Sequence, residues 1–116
     1  MGSGKSPLTV AYSRSAQLEL DEIWDWNAKK RGAPWATNYI AFLRDQVDLL
    51  AADPNLGKPV EAAPNLRFST VKFRAGRQTD GHVIVYRFDL VDRRLRVLHV
   101  FHSKQDWVGK LERGEY

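Results

Sequence analysis

The spacing of apolar positions predicts one short strand and then a helix at the start of the chain. Residues Leu8–Ser13, "LTVAYS", alternate between apolar and polar side chains and favour a strand. Ser13 is a favourable helix N-cap, and the helix that it opens is predicted to run to about Arg31, where Gly32 favours a stop. The residues on the inner face of this helix fall three or four positions apart: Ala16, Leu20, Ile23 and Asn27.

A second helix follows after a tight turn and carries a long apolar stripe. Pro34 suits the first turn of a helix, and the Asp53-Pro54 pair ends the pattern. Because the connection between the two helices is short, we expect them to form an antiparallel hairpin. The stripe steps by four, three, four and three positions through Ala36, Ile40, Leu43, Val47 and Leu50.

The second half of the chain predicts a β-meander. Three β-rich stretches, Leu66–Phe73, His82–Leu90 and Leu95–His102, follow a loop at Leu56–Asn65. Their close spacing favours antiparallel pairing, and Asp106 then predicts the cap of a short final helix. The order is βααβββα. The predicted fold class is therefore α+β, with an N-terminal strand, a two-helix hairpin packed on an antiparallel sheet, and a short C-terminal helix.

Both faces of the predicted sheet are apolar near its middle. Strand alternation assigns one face to Val83, Val85 and Arg87, and groups Leu98 with Val100 on a single face of the last strand. One helical hairpin covers only one face of a sheet. The other face is therefore predicted either to be filled by the final helix alone or to receive a partner, and an apolar face ringed by arginines is typical of a protein-binding groove.

Composition fits one ordinary globular domain. The chain has 116 residues, of which 43% are hydrophobic and 28% charged, and it contains no cysteine. A disulfide framework and a thiolate metal site are therefore excluded, and a reducing, cytoplasmic setting is expected. Apolar runs fall far short of the roughly 20 residues that span a bilayer. We expect a flexible leader at 1–7, whose "GSGKS" lacks the strand and helix of a phosphate-binding loop, and a single domain at 8–116.

Positive charge is concentrated in the second half of the chain. Residues 66–116 contain eleven Lys or Arg and six Asp or Glu, a net charge of +5, whereas residues 1–65 have a net charge of −1. The basic half favours an anionic partner, which is either nucleic acid or an acidic protein segment.

Metal-free RNA cleavage is one chemistry that these residues offer, because it needs an acid, a base and cations on the phosphate. The acid and base candidates are His82, His99 and His102, and the cation candidates are Arg67, Lys72, Arg74, Arg77, Arg87 and Lys104. Alternation places His99 and His102 on opposite faces of their strand, which disfavours a catalytic pair. Three histidines without cysteine make a poor zinc site, so no metal or other cofactor is expected.

The order of these segments resembles the ParE branch of the RelE/ParE toxin superfamily, from bacterial type II toxin–antitoxin systems, whose members are also called plasmid stabilization proteins. "YSRSAQLELDEIWDW" is similar to the first helix of the family, and "APWATNYIAFLRDQVDLLAADPNLGKPV" to its second helix and following loop. "LRFSTVKF", "HVIVYRF" and "LRVLHVFHSKQD" are similar to its three-strand meander. The resemblance covers nearly all of Leu8–Trp107.

This resemblance implies a toxin that inhibits DNA gyrase by trapping cleaved DNA complexes and is not an enzyme. It also implies a ParD-like antitoxin, whose disordered C-terminal segment folds over the toxin in a hetero-oligomeric complex. The residues expected to contact the antitoxin are Arg67, Lys72, Phe73, Arg74, Val83, Val85, Arg87, Leu98 and Val100. Those expected to contact the target are Arg77, His102, Lys104 and Trp107.

The RelE branch of the superfamily is the alternative, and its members cleave mRNA in the ribosome. They use a basic cluster on the sheet and a tyrosine near the C-terminus, whereas Ser103 follows His102 here. The end of this chain therefore resembles the ParE branch more closely. If the chain were a ribonuclease, its catalytic residues would be His102, Arg87, Arg67 and Lys104. The connection at 74–81 is longer than in many ParE-like toxins and is either a recognition loop or a longer hairpin.

Overall fold

A computed structural model describes residues 6–72 and 81–114 of the chain. The predicted α+β order is confirmed, with one short strand added where the sequence predicted a loop. The elements in chain order are β1 (Thr9–Tyr12), α1 (Arg14–Arg31), α2 (Ala33–Ala52), β2 (Lys58–Val60), β3 (Ala63–Lys72), β4 (Gly81–Asp89), β5 (Arg94–His102) and α3 (Trp107–Glu112). The predicted strand end at Phe73 and most of the connection at 74–81 lie outside the described residues. Among the described helices, none has both the length and the apolar character needed to cross a bilayer.

The strands form one mixed five-stranded sheet in the order β1-β5-β4-β3-β2. Strands β2 to β5 are antiparallel neighbours, which confirms the predicted meander. Strand β1 pairs in parallel with β5, from Thr9 opposite Arg94 to Tyr12 opposite Val97. These two strands are separated by most of the domain in sequence, so no local pattern indicates their pairing.

Ser13 explains why β1 ends and α1 begins at this point. Its hydroxyl accepts a hydrogen bond from Ala16 N at 3.0 Å, which caps the helix. The same hydroxyl donates to Leu98 O at 2.7 Å, and Ser13 N donates to Val97 O at 2.9 Å. One residue therefore caps α1 and continues the hydrogen bonding of β5 beyond its last pair with β1.

The two faces of the sheet carry separate apolar cores. The helical hairpin covers one face and builds the larger core, and α3 covers part of the other face and builds the smaller one. The larger core includes Leu20, Tyr39, Leu43, Val47, Ile84, Tyr86, Leu95, Val97 and Val100. The smaller core includes Val60, Leu66, Val83, Val85, Phe101 and Leu111.

A β-bulge in β5 changes which residues share a face. Val85 pairs with His99 but Tyr86 pairs with Val97, so Leu98 is an extra residue on β5. As a result Leu98 contacts the smaller core, whereas Val100 packs in the larger core under the helices. The prediction that Leu98 and Val100 share a face is therefore wrong, because simple alternation assumes a strand without an extra residue.

Tyr86 fastens the connection between α2 and β2 to the middle of the sheet. Its buried hydroxyl donates to Pro54 O at 2.6 Å and accepts from Gly57 N at 3.0 Å. A Cβ on Gly57 would overlap the Tyr86 hydroxyl and lie 2.7 Å from Phe68 O, so the loop passes too close for any other residue. Arg67 donates to Gly57 O at 2.7 Å and holds the loop from its other side.

We expect Tyr86→Phe to lower the free energy of unfolding by about 1–3 kcal/mol, because buried backbone groups of Pro54 and Gly57 lose their partner. Urea denaturation at neutral pH measures the change. Tyr12→Phe is the matched control, since the Tyr12 ring is half-buried and packs against the larger core. Equal losses in the two variants would contradict the role given to Tyr86.

The same variant tests a pH dependence. Burial raises the pKa of the Tyr86 hydroxyl above its ordinary value of 10.0, although the hydrogen bond from Gly57 N opposes this shift in part. Because the pKa is raised in the folded state, the contribution of the Tyr86 hydroxyl to the free energy of unfolding is fully present below pH 10.0. This contribution is lost as the pH rises through the folded-state pKa. The stability difference between the wild type and Tyr86→Phe is therefore expected to narrow in alkaline solution.

Candidate functional surfaces

A groove of about 620 Å³ lies between α1 and the end of the sheet that carries two of the histidines. A hydrogen bond joins the Tyr39 hydroxyl to His82 Nδ1 in its floor. The ring centroids of His82 and His102 are 5.2 Å apart, and Trp26 and Trp35 also line the groove. His82 is 5% exposed, so its contact with Tyr39 is buried. Within the described part of the chain, no three His, Cys, Asp or Glu residues are grouped to hold a metal ion.

His99 lies on the opposite face from His102, as alternation predicted, and is engaged in structural contacts. Its Nδ1 is 2.9 Å from Glu19 Oε2, and its ring stacks on Phe101 with the centroids 4.4 Å apart. The other carboxylate oxygen of Glu19 accepts a hydrogen bond from Val100 N at 2.8 Å. Glu19 therefore fastens α1 to the part of β5 just beyond the bulge.

Arg67 and Arg87, two of the cations proposed for an RNA-cleaving site, lie away from His102 along the strands. His102 pairs with His82 and so lies five residues along β4 from Arg87, which corresponds to about 16 Å. The guanidinium of Arg67 is bonded to the loop that follows α2. Lys104 follows His102 closely, and its backbone N donates to His102 Nδ1 at 3.1 Å. These four residues do not converge on a position where one phosphate would bind.

Helix α3 covers the part of the second sheet face that lies nearest the histidines. Leu111 packs into the smaller core, and Trp107 packs on Phe68 with ring centroids 5.0 Å apart. Val83 and Val85, which were expected to contact an antitoxin, are 2% and 0% exposed in this arrangement. In the isolated chain, therefore, the final helix and its neighbours bury these two residues.

The other residues predicted from the sequence differ in their accessibility. The exposed ones are Lys72, Arg87 and Lys104. The half-buried ones are Arg67, Leu98, His102 and Trp107. Val100 is buried on the helix side of the sheet, where a partner on the second face would not reach it. Phe73, Arg74 and Arg77 lie outside the described residues.

The second sheet face is basic where α3 does not extend over it. Arg87 and Arg96 are directly opposite each other on β4 and β5, and Arg94 lies two positions along β5 on the same face. We call these three residues the arginine row. All three are exposed and line a shallow depression of about 660 Å³, together with Asn65, Phe88, Asp89, Leu90 and Asp92. Among residues 6–72 and 81–114, no carboxylate forms an ion pair with them.

Sequence reasoning named Arg87 but missed Arg94 and Arg96. The signal was present in "RLRV", where arginine alternates with buried Leu95 and Val97. Such alternation predicts two arginines on one exposed face of a strand. The residues predicted to carry chemistry include the histidines at one end of the strands, whereas the arginine row lies at the other end of the same strands.

Comparison with known proteins gives concordant matches to one family. The family model described as "ParE toxin of type II toxin-antitoxin system, parDE" matches residues 10–107. Toxin ParE1 of Caulobacter vibrioides is 32% identical over 87 residues, covering 75% of this chain and 83% of that protein. Toxin ParE1 of Mycobacterium tuberculosis is 31% identical over 94 residues, covering 81% and 88%.

A solved structure has the same fold. It is described as "Chromosomal ParDE TA system from P. aeruginosa", and it superposes with a TM-score of 0.62 at 19% identity. The similarity covers 82% of this chain and 95% of that chain. The arrangement of hairpin and sheet described above is therefore shared with an experimentally determined structure.

Glu19→Ala is expected to lower the free energy of unfolding by about 1–3 kcal/mol, because it leaves Val100 N and the His99 ring without their partner. Glu22→Ala is the matched control, since Glu22 is exposed on the same helix and the helix propensity changes equally. Its effect should stay within about 0.5 kcal/mol. Urea denaturation of both variants checks this, and similar losses would show that the contact to β5 contributes little.

Proposed function

The chain belongs to the ParE toxin family of type II ParDE toxin–antitoxin systems, and we propose that its target is DNA gyrase. In this proposal the free toxin binds gyrase and holds it on cleaved DNA, which blocks replication. A ParD-like antitoxin neutralises the toxin by binding it in a hetero-oligomeric complex. The toxin acts by binding and is not an enzyme.

The distance between His102 and Arg87 is the observation that favours gyrase, rather than mRNA in the ribosome, as the target. RNA cleavage without a metal needs an acid or base and cations around one phosphate. The strand register separates these two residues by about 16 Å, and Arg67 is bonded to a loop. A toxin that acts by docking on its target needs no such convergence, so the arrangement supports a binding function.

We place the target contact at the end of β5 and the start of α3. Lys104 is exposed there, and His102 and Trp107 are half-buried beside it. The Gln105 side chain accepts a hydrogen bond from His102 N, so the backbone between β5 and α3 is held in a defined turn. The Trp107 ring suits the centre of a protein interface, where tryptophan is enriched, and the exposed Lys104 suits its polar rim.

We place the antitoxin on the second sheet face. Lys72, Arg87 and Leu98 are accessible on this face without rearrangement. Val83 and Val85 are buried in the smaller core, to which α3 contributes Leu111, so this placement requires α3 to move away from that core. Helix α3 has six residues, of which one, Leu111, is buried, and helices this short are marginal on their own. An incoming apolar segment would therefore displace α3 at a lower cost in free energy than it would displace α1 or α2.

Two assays run side by side test the target. Purified toxin is expected to reduce gyrase supercoiling and to accumulate cleaved DNA, while mRNA in translating ribosomes stays intact. Toxin incubated first with its antitoxin is the control and should leave gyrase active. Codon-periodic mRNA cuts with unaffected gyrase would instead identify the RelE-type endonuclease. Inactivity in both assays would indicate a relative that retains complex formation without toxicity.

Hydrogen exchange tests the antitoxin site. Binding is expected to slow exchange along β3 and β5 on the second face. It is also expected to speed exchange in α3, where Lys110 N and Arg113 N now bond within the helix. The α1–α2 hairpin serves as the internal control and should be unchanged. Slower exchange in α3 with no change in the strands would place the antitoxin elsewhere.

A further inference from the structure

We propose that the arginine row, formed by Arg87, Arg94 and Arg96, binds the phosphate backbone of double-stranded DNA. This extends the proposed function, on which it rests for its biological setting, because gyrase holds a DNA duplex at the step where the toxin would act. The row lies at the far end of β4 and β5 from His102 and Lys104. It would therefore provide a second contact, separate from the proposed contact with gyrase.

The charges of the row are available to a ligand. None of the three guanidinium groups forms an ion pair with a carboxylate of the described residues. Asp89 lies directly opposite Arg94 on the same face but forms no ion pair with it, and the Asp89 Oδ1 accepts hydrogen bonds from Val91 N at 2.8 Å and Asp92 N at 3.3 Å in the turn. Like charges placed directly opposite on a sheet destabilise it. An anion bound between them would remove that repulsion.

The spacing of the row suits a phosphate backbone. Arg87 and Arg96 lie opposite each other, so their Cα atoms are about 5 Å apart, and Arg94 lies about 7 Å further along the strand. The first separation runs across the strands and the second along them, so the longest Cα separation, from Arg87 to Arg94, is about 9 Å. This matches the axial length of two to three nucleotides of one DNA strand at a rise of about 3.4 Å each. Guanidinium groups bind phosphate with paired hydrogen bonds, and the sheet fixes the backbone positions from which these three arginines extend.

The surroundings of the row favour nucleic acid over a protein partner. The centre of a protein interface is usually apolar and depleted of charge, whereas protein–DNA interfaces are polar and strongly positive. The depression is lined mainly by charged and polar residues. Its apolar neighbours Leu90 and Val91 lie at the hairpin tip and are 59% and 91% exposed. In this position they can contact sugars or a groove edge beside the bound phosphates.

The hairpin that carries the row remains positive when its acidic residues are included. Residues 87–96 contain four arginines and two aspartates, which gives a net charge of +2. Arg93, the fourth arginine, donates to Ser6 O and is thereby held beside the start of β1. Since Arg87 is also proposed to contact the antitoxin, the bound antitoxin would cover part of the row and exclude DNA.

Fluorescence anisotropy with a labelled duplex of about 20 base pairs tests the proposal, using purified toxin without gyrase over a range of salt concentrations. The test variant is Arg94→Gln with Arg96→Gln. We expect at least tenfold weaker binding at low salt and a salt dependence reduced by about two phosphate contacts. The matched control is Arg14→Gln with Lys29→Gln, which removes two exposed charges from α1 and should change binding little. Thermal unfolding checks that both variants fold.

Three outcomes would overturn the inference. The first is that the toxin shows no salt-dependent binding to DNA. The second is that the two double variants weaken binding equally. The third is that the toxin binds polyglutamate in place of DNA, which would identify an acidic-peptide site. The gyrase assay separates this inference from the proposed function. Toxin that poisons gyrase but does not bind DNA through the row refutes only the inference. Toxin that binds DNA through the row but leaves gyrase active refutes only the proposed function.

Discussion

The structure depends on how the edge of β5 is completed beyond its pairing with β1. The parallel pairs end at Val97, and the backbone of β5 then continues for five residues past the end of β1. Helix α1 supplies the missing partners, through Ser13 for the carbonyls of Val97 and Leu98 and through Glu19 for Val100 N. Because buried backbone groups without partners cost free energy, these contacts fix where α1 crosses the sheet. The groove between α1 and the histidine end follows from that position.

The bulged part of β5 also determines which side chains lie on each face of the sheet. The extra residue at Leu98 shifts the alternation, so Val100 joins the helix-side core while His99 stacks on Phe101 on the other side. A histidine within a mostly apolar layer requires a polar partner, and Glu19 provides it from the start of α1. The contacts that complete the strand therefore also give His99 a structural role. His102, at the end of the strand, does not take part in this contact with Glu19.

Local signals predicted much of the fold, whereas features that depend on distant segments were not predicted. The cap at Ser13 and the stop at Gly32 are local and were correct, as was the meander that follows them. The bulge at Leu98, the parallel pairing of β1 and the short strand β2 depend on contacts between distant segments. For the site, alternation correctly separated His99 from His102, but it misplaced Val100 because the bulge lies between Val100 and the first half of the strand.

The partly covered second face suits a toxin that must be stable when free and yet bind an antitoxin. Val83 and Val85 are already buried with Leu111, so an antitoxin segment that displaces α3 exchanges apolar contacts and gains little apolar burial in total. The net affinity for the antitoxin must then come from surface buried beyond α3 and from attraction to charged side chains. Lys72 and Arg87 are exposed and can supply that attraction. An acidic antitoxin segment would gain most there, since it would neutralise arginines that lack carboxylate partners among the described residues. In the proposed mechanism, that gain would come from the same charges that the free toxin offers to DNA.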